Sequence, residues 1–170
     1  MASTFQEPEC EDDDADCEAI AHWTVTATDG DGTVRVVFED KTTGWFDDAW
    51  GALDPIDGLE DSDVRALNFI TDSGADFATR TLQTYLVRLH RDRAELEILY
   101  EGDGESSSEM DACIRYDVIG FRVASGGSEI LVLHTTGTEY IDQGLNQPCE
   151  AESVLEEIVQ TITLQPAPAG

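Results

Sequence analysis

Residues 85–100, YLVRLHRDRAELEILY, contain the clearest structural pattern in the sequence. Apolar residues alternate with other residues on both sides of the polar stretch 90–93. Alternation with a period of two is typical of strands that bury one face, so this segment predicts an antiparallel hairpin. The residues predicted to share its apolar face are Tyr85, Val87, Leu89, Leu96, Ile98 and Tyr100.

Similar patterns occur on both sides of this hairpin. Residues 23–38 alternate around Asp29-Gly30-Asp31-Gly32, and residues 116–133 alternate around Ser125-Gly126-Gly127-Ser128. Aspartate, serine and glycine are typical of the turns that join paired strands. The sequence therefore predicts about six antiparallel strands in three hairpins, with the polar stretch 101–111 as a solvated loop between two of them.

Two further segments are predicted to be helical. The C-terminal one begins near Pro148, which suits a first helical position, and its apolar residues follow the i, i+3, i+4, i+7 spacing of an amphipathic helix. A short middle helix is predicted to start at Asp61 or Ser62. The apolar residues of these two helices are Leu155, Ile158, Val159 and Ile162, and Val64, Leu67 and Phe69. The expected fold class is α+β, with helices covering one face of the antiparallel sheet.

The chain has 170 residues, a length that predicts one globular domain. Residues 1–19 are acidic and contain almost no large apolar side chain, so they are predicted to form a flexible arm. Residues 20–165 are predicted to form the single α+β domain. The proline- and alanine-containing end, 166–170, is predicted to be disordered.

The charge balance is strongly acidic. Thirty-seven Asp and Glu side chains stand against nine Lys and Arg, which gives a formal net charge of −28. Such a surface argues against binding nucleic acid or an anionic membrane, because both require clustered positive charge. It favours a basic protein partner, although adaptation to concentrated salt or simple solubility would give the same composition. The sequence leaves the oligomeric state open.

The four cysteines are Cys10, Cys17, Cys113 and Cys149. They form no CxxC pair, so zinc binding lacks support, and two disulfides, Cys10–Cys17 and Cys113–Cys149, are expected instead. Disulfides predict an extracytoplasmic or secreted protein, present as a mature chain because no signal peptide or transmembrane segment is visible. The alternative is four reduced thiols in the cytoplasm of a salt-adapted cell.

The strongest catalytic pattern is Asp72-Ser73-Gly74-Ala75. It resembles the Asp-Thr/Ser-Gly-Ala motif of retropepsin-like aspartic proteases, and Val118-Ile119-Gly120 is similar to that family's downstream motif. The resemblance implies a dimer in which two copies of Asp72 share a proton and act as acid and base. Alternatively, Ser73 and Gly74 simply form a turn.

Metal and cofactor sites have weaker support. Asp29 and Asp31 are candidate calcium ligands, but their loop has Val34 where an EF-hand requires glycine, and its flanks are predicted strands. His22, His90 and His134 lie far apart and lack metal-binding spacing. Nucleotide-binding loops and the nucleophile motif of α/β-hydrolases do not occur in the sequence. No cofactor is expected.

Trp45, Phe46 and Trp50 lie among acidic residues. Exposed tryptophans are strong interface anchors, so these three are the candidate partner-binding residues, with core packing as the alternative. The sequence thus predicts a non-enzymatic binding or interaction domain. The alternatives are an acidic inhibitor, such as an immunity protein or DNA mimic of a basic target, and the aspartic protease that uses Asp72.

Overall fold

The computed structural model describes residues 2–3, 19–28, 34–44, 48–73, 78–90, 95–108, 113–140 and 154–164. Within these ranges every regular element is a β-strand. The strands are β1 (Ala2–Ser3), β2 (Ala19–Thr28), β3 (Val34–Gly44), β4 (Asp48–Pro55), β5 (Val64–Ser73), β6 (Ala78–His90), β7 (Glu95–Ser108), β8 (Cys113–Val123), β9 (Glu129–Tyr140) and β10 (Leu155–Thr163). The prediction of antiparallel pairing is confirmed, and the prediction of an α+β fold is wrong, because no helix occurs in the described part of the chain.

The predicted C-terminal helix is the strand β10 over most of its length. The i, i+3, i+4, i+7 spacing of Leu155, Ile158, Val159 and Ile162 was a misleading guide, because three of these four side chains are β-branched. Such side chains lose rotamer freedom in a helix and fit the pleated surface of a sheet. The free edge of β9 supplies the backbone partners that make the extended conformation favourable.

The predicted middle helix is also a strand, β5. Leu67 and Phe69, two residues apart, are buried in one cluster, whereas Val64 is buried in another. β5 lies between β4 and β6, so its backbone is paired on both sides. The stretch 101–111 is not simply a loop either, because β7 continues to Ser108 alongside the first half of β6.

Seven strands form one antiparallel sheet in strictly sequential order from β4 to β10. β1, β2 and β3 form a separate three-stranded sheet in which β2 is central. The predicted hairpins 23–38, 85–100 and 116–133 all occur as neighbouring antiparallel pairs. In the middle hairpin a bulge at Leu99 places Tyr100 opposite Leu86 rather than on the face of Leu96.

The first core lies between the three-stranded sheet and one face of strands β4 to β7, and aromatic rings dominate it. Trp23 stacks on Phe69 with ring centroids 4.7 Å apart, and Phe38 stacks on the same ring at 5.5 Å. Tyr85 meets Phe69 edge to face. Aromatic pairs of this kind add about 0.5–1.5 kcal/mol each beyond the area they bury.

The second core lies on the other face of the sheet and depends on two glycines in β7. A Cβ atom at Gly104 would lie 2.8 Å from the backbone oxygen of Asp117, and one at Gly102 would lie 3.1 Å from a side-chain carbon of Ile119. β8 can therefore cross closely over β7 only where β7 has no side chain. The crossing brings β8 to β10 across the face of β5 and β6. The buried residues of this second core are Ile56, Val64, Leu86 and Ile130.

The predicted boundaries of the acidic arm, the domain and the C-terminal end remain predictions. β2 begins at Ala19, next to the expected end of the acidic arm, and β1 pairs with Val25 and Thr26 of β2. Most of residues 1–18 and all of 166–170 lie outside the described residues.

Candidate functional site

The strand β10 forms one edge of the seven-stranded sheet. It pairs with β9 from Leu155 opposite Thr136 to Thr163 opposite Glu129, with a bulge at Val159. In the described part of the chain no strand pairs with its other edge. An edge strand presents a row of backbone N–H and C=O groups that another extended chain can pair with.

Apolar side chains are exposed at the beginning of this strand and at the residue before it. In the described chain they account for four of the five large hydrophobic residues that are exposed, the fifth being Ile98. Their exposed fractions are 57% for Val154, 56% for Leu155, 60% for Ile158 and 49% for Val159. We call these four residues the β10 edge surface.

The end of the same strand is anchored in the protein. Ile162 and Leu164 pack against the second core, and the backbone N–H of Leu164 donates to the carbonyl of Ser128 at 2.8 Å. β10 is therefore held at its C-terminal end, and its exposed apolar residues lie at the other end. Exposed apolar residues grouped in this way mark interaction surfaces more often than scattered ones do.

Acidic residues surround the β10 edge surface. The Nη2 group of Arg122 donates to both carboxylate oxygens of Glu156 at 2.8 Å, which links β8 to β10 across β9. Glu157 on β10 and Glu139 on β9 are also exposed. The surface therefore combines apolar contact area with negative charge.

The predicted aromatic site is only partly within the described residues. Trp50 is half-buried on β4, and the guanidinium of Arg80 lies 5.4 Å from its ring centroid, within reach of a cation–π interaction. Trp45 and Phe46 lie outside the described residues. Their role in partner binding remains a prediction.

Asp72 lies on β5 directly opposite Arg80 of β6. The Nε group of Arg80 donates to the Asp72 carboxylate at 3.0 Å. Gly74 and Ala75 lie outside the described residues, and Val118-Ile119-Gly120 belongs to β8. The described contact of Asp72 is this ion pair with Arg80, and its catalytic role remains a prediction.

The candidate metal ligands are not brought together. Asp29 and Asp31 lie outside the described residues, and the described ones contain no group of three side chains suited to a metal ion. His90 donates to Glu97 at 3.0 Å, and His134 donates to Asp117. The hydrogen bond from His90, with help from the charge of Arg88, lowers the pKa of Glu97.

Cys113 is the only cysteine among the described residues, and it is completely buried and not a free thiol. Cys10, Cys17 and Cys149 lie outside those residues. No complete disulfide is seen in the described ranges, so neither of the two expected pairings is established. Nothing here supports the predicted secretion.

No family model, curated protein or solved structure matches the chain. The described segments include no helix long and apolar enough to cross a membrane. The β10 edge surface was not predicted from the sequence, because Leu155, Ile158 and Val159 were assigned to the apolar stripe of a helix. The β-branched side chains of Ile158 and Val159 were the signal that pointed to a strand instead.

Proposed function

We propose that this protein is a non-enzymatic protein-binding domain whose β10 edge surface receives an extended segment of a partner. The observation that carries the proposal is the coincidence, at β10, of a backbone edge that no described strand pairs with and four exposed apolar side chains. Added strands bind through main-chain hydrogen bonds, and alternate side chains supply specificity.

The bulge at Val159 limits where a partner strand pairs with β10. A bulge interrupts the regular spacing of backbone groups and twists the edge locally. Pairing is therefore expected along residues 154–158, before the bulge, where the register with β9 is regular from Leu155 onward. A segment of about five residues is long enough for a typical strand.

The partner segment is expected to be basic as well as apolar. The protein carries a formal charge of −28, and Glu156 and Glu157 lie within the pairing stretch. Two copies of this chain would repel each other, which disfavours pairing of β10 with itself. Opposite charge would also speed the encounter at low salt.

A pair of synthetic peptides tests the proposal. We expect an amidated peptide of alternating lysine and valine to bind, and its glutamate–valine counterpart not to bind. The measurements are calorimetric titration and amide chemical shifts of ¹⁵N-labelled protein, with the largest shifts expected at residues 154–158. Binding should weaken as salt rises toward 1 M, because screening shortens the range of the attraction to about 3 Å.

The variant Ile158→Ser should weaken peptide binding, since it removes the most exposed apolar side chain of the surface. Ile98→Ser is the matched control, because Ile98 is also exposed but lies on β7. Equal loss in both variants, or shifts that spread over the acidic surface without concentrating on β10, would overturn the proposal.

A further inference from the structure

A recess with a volume of about 230 Å³ lies between β5, β6 and β8 and is closed at one side by the turn after β4. Its walls combine apolar side chains with a few polar groups. The apolar side chains that line it are Pro55, Ile56, Ala66, Ile119 and Phe121, and the polar residues are Asp57, Asn68 and Thr84. Its volume lies below the usual range for drug-sized ligands, so it suits a smaller molecule.

Thr84 is the most informative residue of the recess. It is 3% exposed, and it is the only buried polar residue among those described. Its hydroxyl group makes no hydrogen bond to another described residue. A buried hydroxyl without a partner is unfavourable, and native proteins usually satisfy such groups with a neighbour, a water molecule or a ligand.

Asn68 lies directly opposite Thr84 in the β5–β6 ladder, and both line the recess. Its amide can donate and accept hydrogen bonds, and the threonine hydroxyl can do both as well. The two side chains therefore place complementary donors and acceptors at one wall, opposite the apolar side chains of Ile119 and Phe121.

The backbone of β8 adds further polar groups. β8 pairs with β7 only from Ile114 to Asp117, while its pairing with β9 continues to Val123. Along residues 119–121, alternate backbone groups point away from β9 and have no ladder partner in the described strands. Gly120 is part of the lining at this place.

We infer that this recess is a binding site for a small uncharged molecule with a short apolar body and a head group that both donates and accepts hydrogen bonds. A primary amide or an alcohol has this chemistry. The described residues of the lining include no basic side chain, and Asp57 is exposed beside it, so an anion is disfavoured. This site is separate from the β10 edge surface and does not depend on the proposed function.

Butyramide, butyrate and butylammonium are matched probes that share an alkyl chain and differ in the head group. The measurement is a titration of protein carrying ¹³C-labelled isoleucine methyl groups, in which Ile56 and Ile119 report on the recess. We expect saturable shifts of these two residues with butyramide. Binding of butyrate and butylammonium should be at least about fivefold weaker, because one hydrogen bond or more is lost.

Two variants test the assignment to the recess. Thr84→Val should weaken butyramide binding about fivefold, whereas Thr81→Val, at an exposed threonine of the same strand, should leave it unchanged. Ala66→Leu should fill the recess and abolish binding, and this test remains available if Thr84→Val fails to fold. Absence of saturable shifts, tighter binding of either charged probe, or undiminished binding to the Ala66→Leu variant would overturn the inference.

Discussion

The two faces of strands β4 to β7 are packed in different ways. On one face the rings of Trp23, Phe38, Phe69 and Tyr85 fill the space against the three-stranded sheet. On the other face aliphatic residues around Leu86 meet the crossing strands β8 to β10 and leave a recess beside Thr84. A single sheet thus has one tightly packed face and one that retains space and a polar group.

The difference shows how crossing geometry limits packing. The first core joins two layers whose rings interdigitate. In the second core β8 touches β7 closely at Gly104 and then separates from it, so the layers diverge. Side chains near the Gly104 contact fill the space between the two layers. Side chains farther along β8 do not span the wider gap. We expect mutations on the first face to affect stability strongly and those beside the recess to affect it less.

The largest expected effect is the loss of a central ring in the first core. Phe69→Ala should lower the free energy of unfolding by about 3–5 kcal/mol, because it removes apolar area and leaves a cavity among fixed neighbours. Phe121→Ala, at a half-buried ring beside the recess, should cost clearly less. Urea unfolding followed by tryptophan fluorescence measures both, and equal losses would contradict the proposed contrast between the faces.

Enlarging an alanine probes the same contrast from the opposite direction. Ala49→Leu, at a position 2% exposed in the first core, should destabilise the protein by about 1–3 kcal/mol through overpacking. Ala66→Leu adds the same atoms beside the recess and should be neutral or stabilising. Thermal unfolding of the two variants in one buffer compares them directly. A larger cost at Ala66 than at Ala49 would show that the recess is not available space.

A smaller gain is expected from Thr84→Val. The substitution replaces a buried hydroxyl that bonds to no other described residue with a methyl group of similar size, so the free energy of unfolding should rise by about 1 kcal/mol. Thr81→Val on the exposed side of β6 should change it by less than about 0.5 kcal/mol. Destabilisation by Thr84→Val would indicate that the hydroxyl is satisfied in solution, and equilibrium unfolding in urea distinguishes these outcomes.

The smallest effect is expected at Glu97, which is exposed near the end of the β6–β7 hairpin. Its pKa is lowered, first by the hydrogen bond from His90 and then by the charge of Arg88, so its ionised form stabilises the fold above the unfolded pKa. That contribution is lost as the pH falls through the lowered pKa. Glu97→Gln should therefore cost less than about 1 kcal/mol at pH 7, and this cost should disappear as the pH falls through the lowered pKa of Glu97. Chemical unfolding at several pH values checks the trend, and a cost that grows toward acid pH would contradict it.

Much of the sheet could be predicted from the sequence because alternation in one short window determines a hairpin locally. Residues 85–100 and 116–133 carry that alternation together with polar turns, and both pair as expected. The sequence could not exclude the helices that were predicted for residues 64–69 and 155–162, although both segments are strands. Their apolar spacing fits either conformation over a few residues, and the deciding factor, a neighbouring strand edge, lies elsewhere in the chain.

The candidate sites depend even more on distant parts of the chain. The sequence marked Leu155, Ile158 and Val159 as apolar, yet only the pairing of β10 with β9 shows that they are exposed. Thr84 and Gly120 are far apart in sequence and line one recess only because β8 crosses β7 at Gly104. No local pattern encodes such a crossing, apart from the two glycines in the segment Gly102-Asp103-Gly104.

The sequential order of strands β4 to β10 also has a kinetic consequence. Each of these strands pairs only with strands adjacent to it in the chain, so every step of sheet growth before the addition of β10 closes a short loop. Proteins whose contacts are close in sequence fold faster than those that must first join remote segments. This sheet can therefore grow by adding one hairpin at a time, and we expect its refolding to be fast for a protein composed of strands.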